Sequence, residues 1–174
     1  TKINDFFFFF GLKGKAGQWD WDLSNSLGVN DFHFYGDKTF NASKGATQTH
    51  FDDGGFNFLQ NTVNLGFTRA FDDIASGLNI SFGAEYRAER YKISAGEEGS
   101  YKNYDVTGEK AGGSQGFPGY QPADEVNDTR SVFGVYGDAE IDITKRWLVG
   151  AAVRLENYND FGSTFNYKIS TRYK

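Results

Sequence analysis

Apolar and polar positions alternate along much of this chain, most cleanly between Ser131 and Tyr173. Phe133, Val135, Gly137, Ala139, Ile141 and Ile143 are interleaved with Gly134, Tyr136, Asp138, Glu140 and Asp142. After the polar turn Thr144-Lys145-Arg146, Trp147, Val149, Ala151, Val153 and Leu155 stand against Gly150, Ala152, Arg154 and Glu156. A third run sets Phe165, Tyr167 and Ile169 against Asn166, Lys168 and Ser170. Period two is the side-chain period of a strand, so each run predicts a strand with one apolar and one polar face. Three such runs joined by short turns predict an antiparallel meander.

Earlier segments repeat the pattern. Trp19, Trp21, Leu23, Leu27 and Val29 alternate with Asp20, Asp22, Ser24, Ser26 and Asn30. Val63, Leu65 and Phe67 mark another strand, and a turn at 72–77 leads to Leu78, Ile80, Phe82 and Tyr86 against Asn79, Ser81, Gly83, Glu85 and Arg87. The exception is Phe6 to Phe10, apolar on both faces. A free run of that kind is an aggregation hazard, so it predicts a strand covered by lipid or core on one side and on the other by something missing from residues 1–174. The glycine-rich stretch Gly11 to Gly17 lacks Walker spacing and is no phosphate loop.

Connection lengths then change the picture. Short turns are predicted at 15–18, 72–77 and 144–146, and long polar loops at 36–60 and 93–130. In the second loop Phe117-Pro118-Gly119-Tyr120 reads as a type II turn, with Pro second and Gly third. Long irregular stretches count against a compact soluble domain. Alternating short and long connections are the habit of outer-membrane barrels, with short periplasmic turns and long extracellular loops. The expected fold is therefore all-β: an antiparallel meander of about seven strands forming a segment of a transmembrane β-barrel. Complete bacterial barrels have an even strand number, so an odd count predicts a piece of a larger one.

Composition supports strands that face two solvents. The 174 residues include 18 Phe and 10 Tyr, yet mean hydropathy is only −0.57. No apolar run approaches the ~20 residues of a membrane helix. A net charge of −5 argues against a nucleic-acid surface, because no Lys/Arg cluster is present to neutralise phosphates. With no Cys there is no disulfide framework and no thiolate chemistry. The opening Thr1-Lys2-Ile3-Asn4 reads as the interior of a longer chain.

Several stretches carry a family resemblance. Gly11-Leu12-Lys13-Gly14 followed by Trp19-Asp20-Trp21-Asp22-Leu23-Ser24 resembles a barrel hairpin of TonB-dependent outer-membrane receptors. So does Phe82-Gly83-Ala84-Glu85-Tyr86-Arg87 with Tyr91 and Ala95-Gly96-Glu97. The stretch from Gln115 to Asp124 is similar to a loop signature in one branch of that family, and Leu155 to Thr164 to the stretch that follows it. The resemblance implies a barrel of about 22 strands when complete, plugged by an N-terminal globular domain. It also implies a place in the bacterial outer membrane and contact with its lipid. The implied activity is uptake, without catalysis or cofactor, of a small ligand such as an iron-siderophore complex, glycan or peptide, driven by TonB–ExbB–ExbD through the plug. The plug, the TonB-box segment and later strands are absent from residues 1–174, which read as partial barrel only. Lys174 stands where complete outer-membrane proteins usually carry an aromatic.

Candidate site residues fall into two groups. Glu85, Arg87, Asp138, Arg154 and Glu156 occupy polar-face positions and either line a lumen or pair with one another across strands. A turn centred on 145–147 would set Asp138 opposite Arg154. The loop aromatics Tyr101, Tyr104, Phe117 and Tyr120 either stack on a ligand or pack within the loop. His33, near a strand end, and His50, in a loop near Asp52 and Asp53, have no recognised ligand spacing, so no metal site is expected. No catalytic residue is assigned: a glycosidase-like carboxylate pair would need a pocket. Two competing architectures are a complete eight-stranded barrel and a soluble lipocalin-like or sandwich binding module. The soluble one requires Val149, Ala151, Val153 and Leu155 to point into a core.

Overall fold

The structure, a computed structural model, describes residues 1–174, and they form one seven-stranded antiparallel meander in consecutive order. The strands are β1 (Lys2–Ala16), β2 (Trp19–Asp37), β3 (His50–Phe71), β4 (Leu78–Ser94), β5 (Val126–Thr144), β6 (Trp147–Tyr158) and β7 (Gly162–Tyr173). A single helical turn, α1 (Glu98–Tyr101), and a 3-10 turn at Pro122–Asp124 interrupt the connection between β4 and β5. β1 and β7 are the sheet's edges.

The short turns fall where the alternation breaks. At the first, Gly17 adopts φ +64, a conformation that favours glycine. The long loops are shorter than predicted: residues 50–60 belong to β3, and β5 begins at Val126. Polarity misled the reading there. Asp52, Asp53, Asn57 and Gln60 are polar, yet a strand extended beside β2 satisfies its backbone through the ladder whatever its side chains are. Gly54, at φ +78, also breaks the alternation that would have marked the segment.

Across β5, β6 and β7 one face carries Val135, Leu155 and Phe165 in a row, then Gly137, Val153 and Tyr167, then Ala139, Ala151 and Ile169. This face is open, with Leu155 51%, Phe165 60% and Ile169 76% exposed, so it is no soluble module's core. The buried hydrophobic residues are Phe51 and Val132. Phe6 to Phe10 in β1 are all more than half exposed. The register also corrects one pairing: Arg154 stands opposite Tyr136, and Asp138 opposite Ala152. A shift between Asp142 and Thr144, beside the turn, displaces the ladder from the simple count.

Contacts divide the chain into two compact units. The loop-bearing unit comprises Thr1–Phe7, Gly28–Leu59 and Glu89–Thr129. The wall unit comprises Phe8–Leu27, Gln60–Ala88 and Arg130–Lys174.

Candidate functional site

The loop-bearing unit is framed by polar residues that are buried and hydrogen-bonded. Asn41, fully buried, donates its amide to the carbonyls of Gly99 (3.0 Å) and Lys102 (2.8 Å). Its Oδ1 accepts from the Ser43 amide (3.0 Å) and hydroxyl (2.6 Å). One side chain thus ties the 38–49 loop to α1. The Ser100 carbonyl accepts the amides of Ser114 and Gly119, both at 2.9 Å. Phe117-Pro118-Gly119-Tyr120 is therefore not a type II turn: Gly119 lacks the positive φ that such a turn requires, and Gly116, at φ +98, has it instead. What demands glycine at 119 is close approach, because a Cβ there would collide with Ser100 Oγ.

On this frame sits a cluster of rings. Phe32 stacks on Phe56 at 5.0 Å, and Phe34 lies 5.9 Å from Phe56 and 5.1 Å from Phe117. Tyr120 meets Phe117 edge-on at 5.8 Å, and Tyr91 extends the cluster from Phe56 at 6.2 Å. Phe117 and Tyr91 are exposed while Phe32, Phe34 and Phe56 are half-buried, so the cluster is a shelf with an open surface. Two of the four predicted loop aromatics, Phe117 and Tyr120, belong to it. The other two do not. Tyr101 ends α1, and Tyr104 sits beneath the ammonium groups of Lys44 (5.6 Å) and Lys102 (5.4 Å), its hydroxyl on Glu98 at 3.3 Å. Lys102 donates to Glu98 at 2.5 Å, which holds that carboxyl below its usual range and raises the ammonium. Sequence reasoning missed Phe32, Phe34, Phe56 and Tyr91. The signal available was Phe32 and Phe34, two apart and so on one face of β2.

The histidines are partnered by carboxylates. His33 Nε2 lies 2.7 Å from Asp52 Oδ1, and His50, the first residue of β3 rather than a loop residue, has Nδ1 3.7 Å from Asp37. No group of three or more His, Cys, Asp or Glu side chains is placed to hold a metal ion.

In the wall unit the polar face is knitted by side chains that skip a strand. Arg154 on β6 donates to Glu156 (2.8 Å) on its own strand and to Glu85 (2.8 Å) on β4. It passes over β5 at Gly134, where an added Cβ would lie 3.3 Å from Arg154 Nη2. Tyr136 on β5 likewise crosses β4 at Gly83, where a Cβ would strike its hydroxyl, and donates to Asn64 on β3 at 3.0 Å. Arg87 joins at 3.8 Å from Glu85, and Tyr158 donates to Glu156 at 3.1 Å. Of the predicted polar residues, Glu85, Arg87, Arg154 and Glu156 form one network. Asp138 stands apart and borders a shallow hollow of about 340 Å³ with Lys168. A second hollow of about 560 Å³ is lined by Lys13, Lys15, Asp20, Asp22, Asn64 and Tyr136. Its charges pair at 3.5 Å, Lys13 with Asp22 and Lys15 with Asp20.

Chemically, the network is an ordering device, since its charges are spent on one another. The aromatic shelf presents unspent π-surface and tyrosine edges, which suits stacking on a planar group.

A family model described as "TonB dependent receptor-like, beta-barrel" matches residues 1–174. No curated protein and no solved structure matches the chain.

Proposed function

This chain belongs to the TonB-dependent receptor β-barrel family, whose members are outer-membrane transporters working with TonB, and on that premise we propose that it is a sector of a larger plugged barrel importing a small nutrient. The seven-strand count and the open apolar face support the sector reading. The ligand we propose is a chelate carrying planar groups, such as an iron-siderophore complex, met first by the shelf of Phe34, Phe56, Phe117 and Tyr120. The observation carrying this is the shelf itself: adjoining rings, held on a buried polar frame, with Phe117 and Tyr91 open to solvent. Glu85, Arg87, Arg154, Glu156 and Asp138 then face the passage, and the first four keep its wall in register.

The test is binding and TonB-dependent uptake by the full-length receptor carrying Phe117→Ala and Tyr120→Ala together. Losing two stacking contacts of ~1 kcal/mol each should weaken binding about tenfold or more. Iron-limited growth with a panel of chelates, compared with growth on glycans or peptides, identifies the class. Unchanged affinity for every imported ligand would remove the shelf from the reading. Uptake that survives loss of TonB would remove the transport mechanism.

A further inference from the structure

Beneath the shelf lies a hydrogen-bond conflict. Ser114 Oγ is 3.0 Å from Asp53 Oδ1 and 2.7 Å from the carbonyl oxygen of Phe117. A hydroxyl has one proton to donate, and a carbonyl and an ionised carboxylate are both acceptors only. With Asp53 ionised, one of the two goes without the serine. With Asp53 protonated the conflict ends, because the acid donates to Ser114 Oγ and the serine is free to donate to Phe117. Asp53 and Ser114 are each only 2% exposed, so water is poorly placed to make up the missing bond.

We propose that Asp53, Ser114 and Phe117 form a proton-operated latch, which fixes the Gln115–Tyr120 segment and its two shelf rings when Asp53 is protonated and loosens them when it is ionised. The surroundings favour the protonated form. Burial is the main cause that raises the Asp53 pKa, and the nearby carboxylates Asp52 on β3 and Glu97 in the loop add to it. Against them stand the Ser114 hydroxyl and the Gly36 amide of β2. Asp52 is engaged by His33 of β2, and Glu97 accepts from Gln48 at 2.6 Å. The Tyr120 amide donates to the Asp53 backbone carbonyl at 3.0 Å, tying the far end of the segment to the same residue.

The sign follows from the raised folded pKa. The closed segment binds the proton more tightly than the open one, so closure strengthens as pH falls through that pKa. The gain is complete below the ordinary value of 3.8 and is lost as pH rises. The experiment is hydrogen–deuterium exchange on the intact receptor in detergent from pH 4 to 8, corrected for intrinsic exchange rates. Protection of the Gln115–Tyr120 amides should rise as pH falls, by up to about tenfold per pH unit. Asp53→Asn, whose carboxamide donates to Ser114 at any pH, should stay protected throughout. Ser114→Ala, which removes the bond to the Phe117 carbonyl, should leave the segment well below wild-type protection at the low-pH end. Wild-type protection that does not change with pH overturns the latch, as does either variant tracking the wild-type profile. Should Asp53→Asn fail to fold, the wild-type and Ser114→Ala profiles decide the matter.

Discussion

In the loop-bearing unit the fully buried side chains are mostly polar: Asn41, Asp53, Ser100 and Ser114 beside Phe51. In the wall unit Val132 is the buried apolar residue, while Val153, Leu155, Phe165, Tyr167 and Ile169 stand open. The loop-bearing unit has its own polar interior and must satisfy every group in it. The wall draws its order from backbone ladders and from the polar network on one face, and its other, apolar face is left open. Hydrophobic side chains therefore mean different things in the two: local packing in the shelf, solvent contact in the wall.

Substitutions that exploit this contrast should differ sharply in effect. Ile169→Arg is the largest expected. On a water-facing surface it would be silent, but on a lipid-facing strand it should cost about 2–4 kcal/mol if near the bilayer midplane, measured as folding into vesicles. A neutral result would mean that face meets water. Asn41→Ala should cost the loop-bearing unit about 2–3 kcal/mol, by stranding the Gly99 carbonyl and leaving that of Lys102 with only the long bond from the Gly113 amide. Limited proteolysis should then cut at 38–49 and 95–125 while the strands resist. Equal loss of strand protection would mean that the two units unfold together.

Arg154→Met should destabilise the wall by about 2 kcal/mol, since it leaves the half-buried Glu85 and Glu156 facing each other with only Arg87, 3.8 Å from Glu85, to offset their charge. The figure sits below that for a deeply buried pair because Arg154 is 30% exposed. Urea titration in detergent reads it, and an unshifted midpoint would reduce the network to surface pairing. Tyr136→Phe is the mildest, about 1 kcal/mol for the bond to Asn64. If it exceeded Arg154→Met, the skip-strand order would rest on the tyrosine instead.

Much of the wall was legible in the sequence. Period two gave the strands, their faces and the short turns, because a half-exposed strand writes its two environments directly into alternate residues. The family followed from motifs spread over the same stretches. Loop ends were less legible: β3 starts at His50 and not after residue 60, because backbone pairing does not need alternating side chains. The type II turn failed for a related reason, since the need for glycine at 119 comes from Ser100, distant in sequence.

The site divides the same way. From Phe117 and Tyr120 alone no shelf can be read, because Phe32, Phe34, Phe56 and Tyr91 reach it from three different strands. Nor does sequence reveal that Arg154 passes over Gly134 to Glu85, or that Ser114 is shared between Asp53 and Phe117. Alternation along the chain is a local quantity, set by each residue's own environment, so the sequence by itself determined strands, faces and family. Register, close approach and the sharing of one proton depend on atoms brought together from far apart in the chain. Those only the tertiary structure decided.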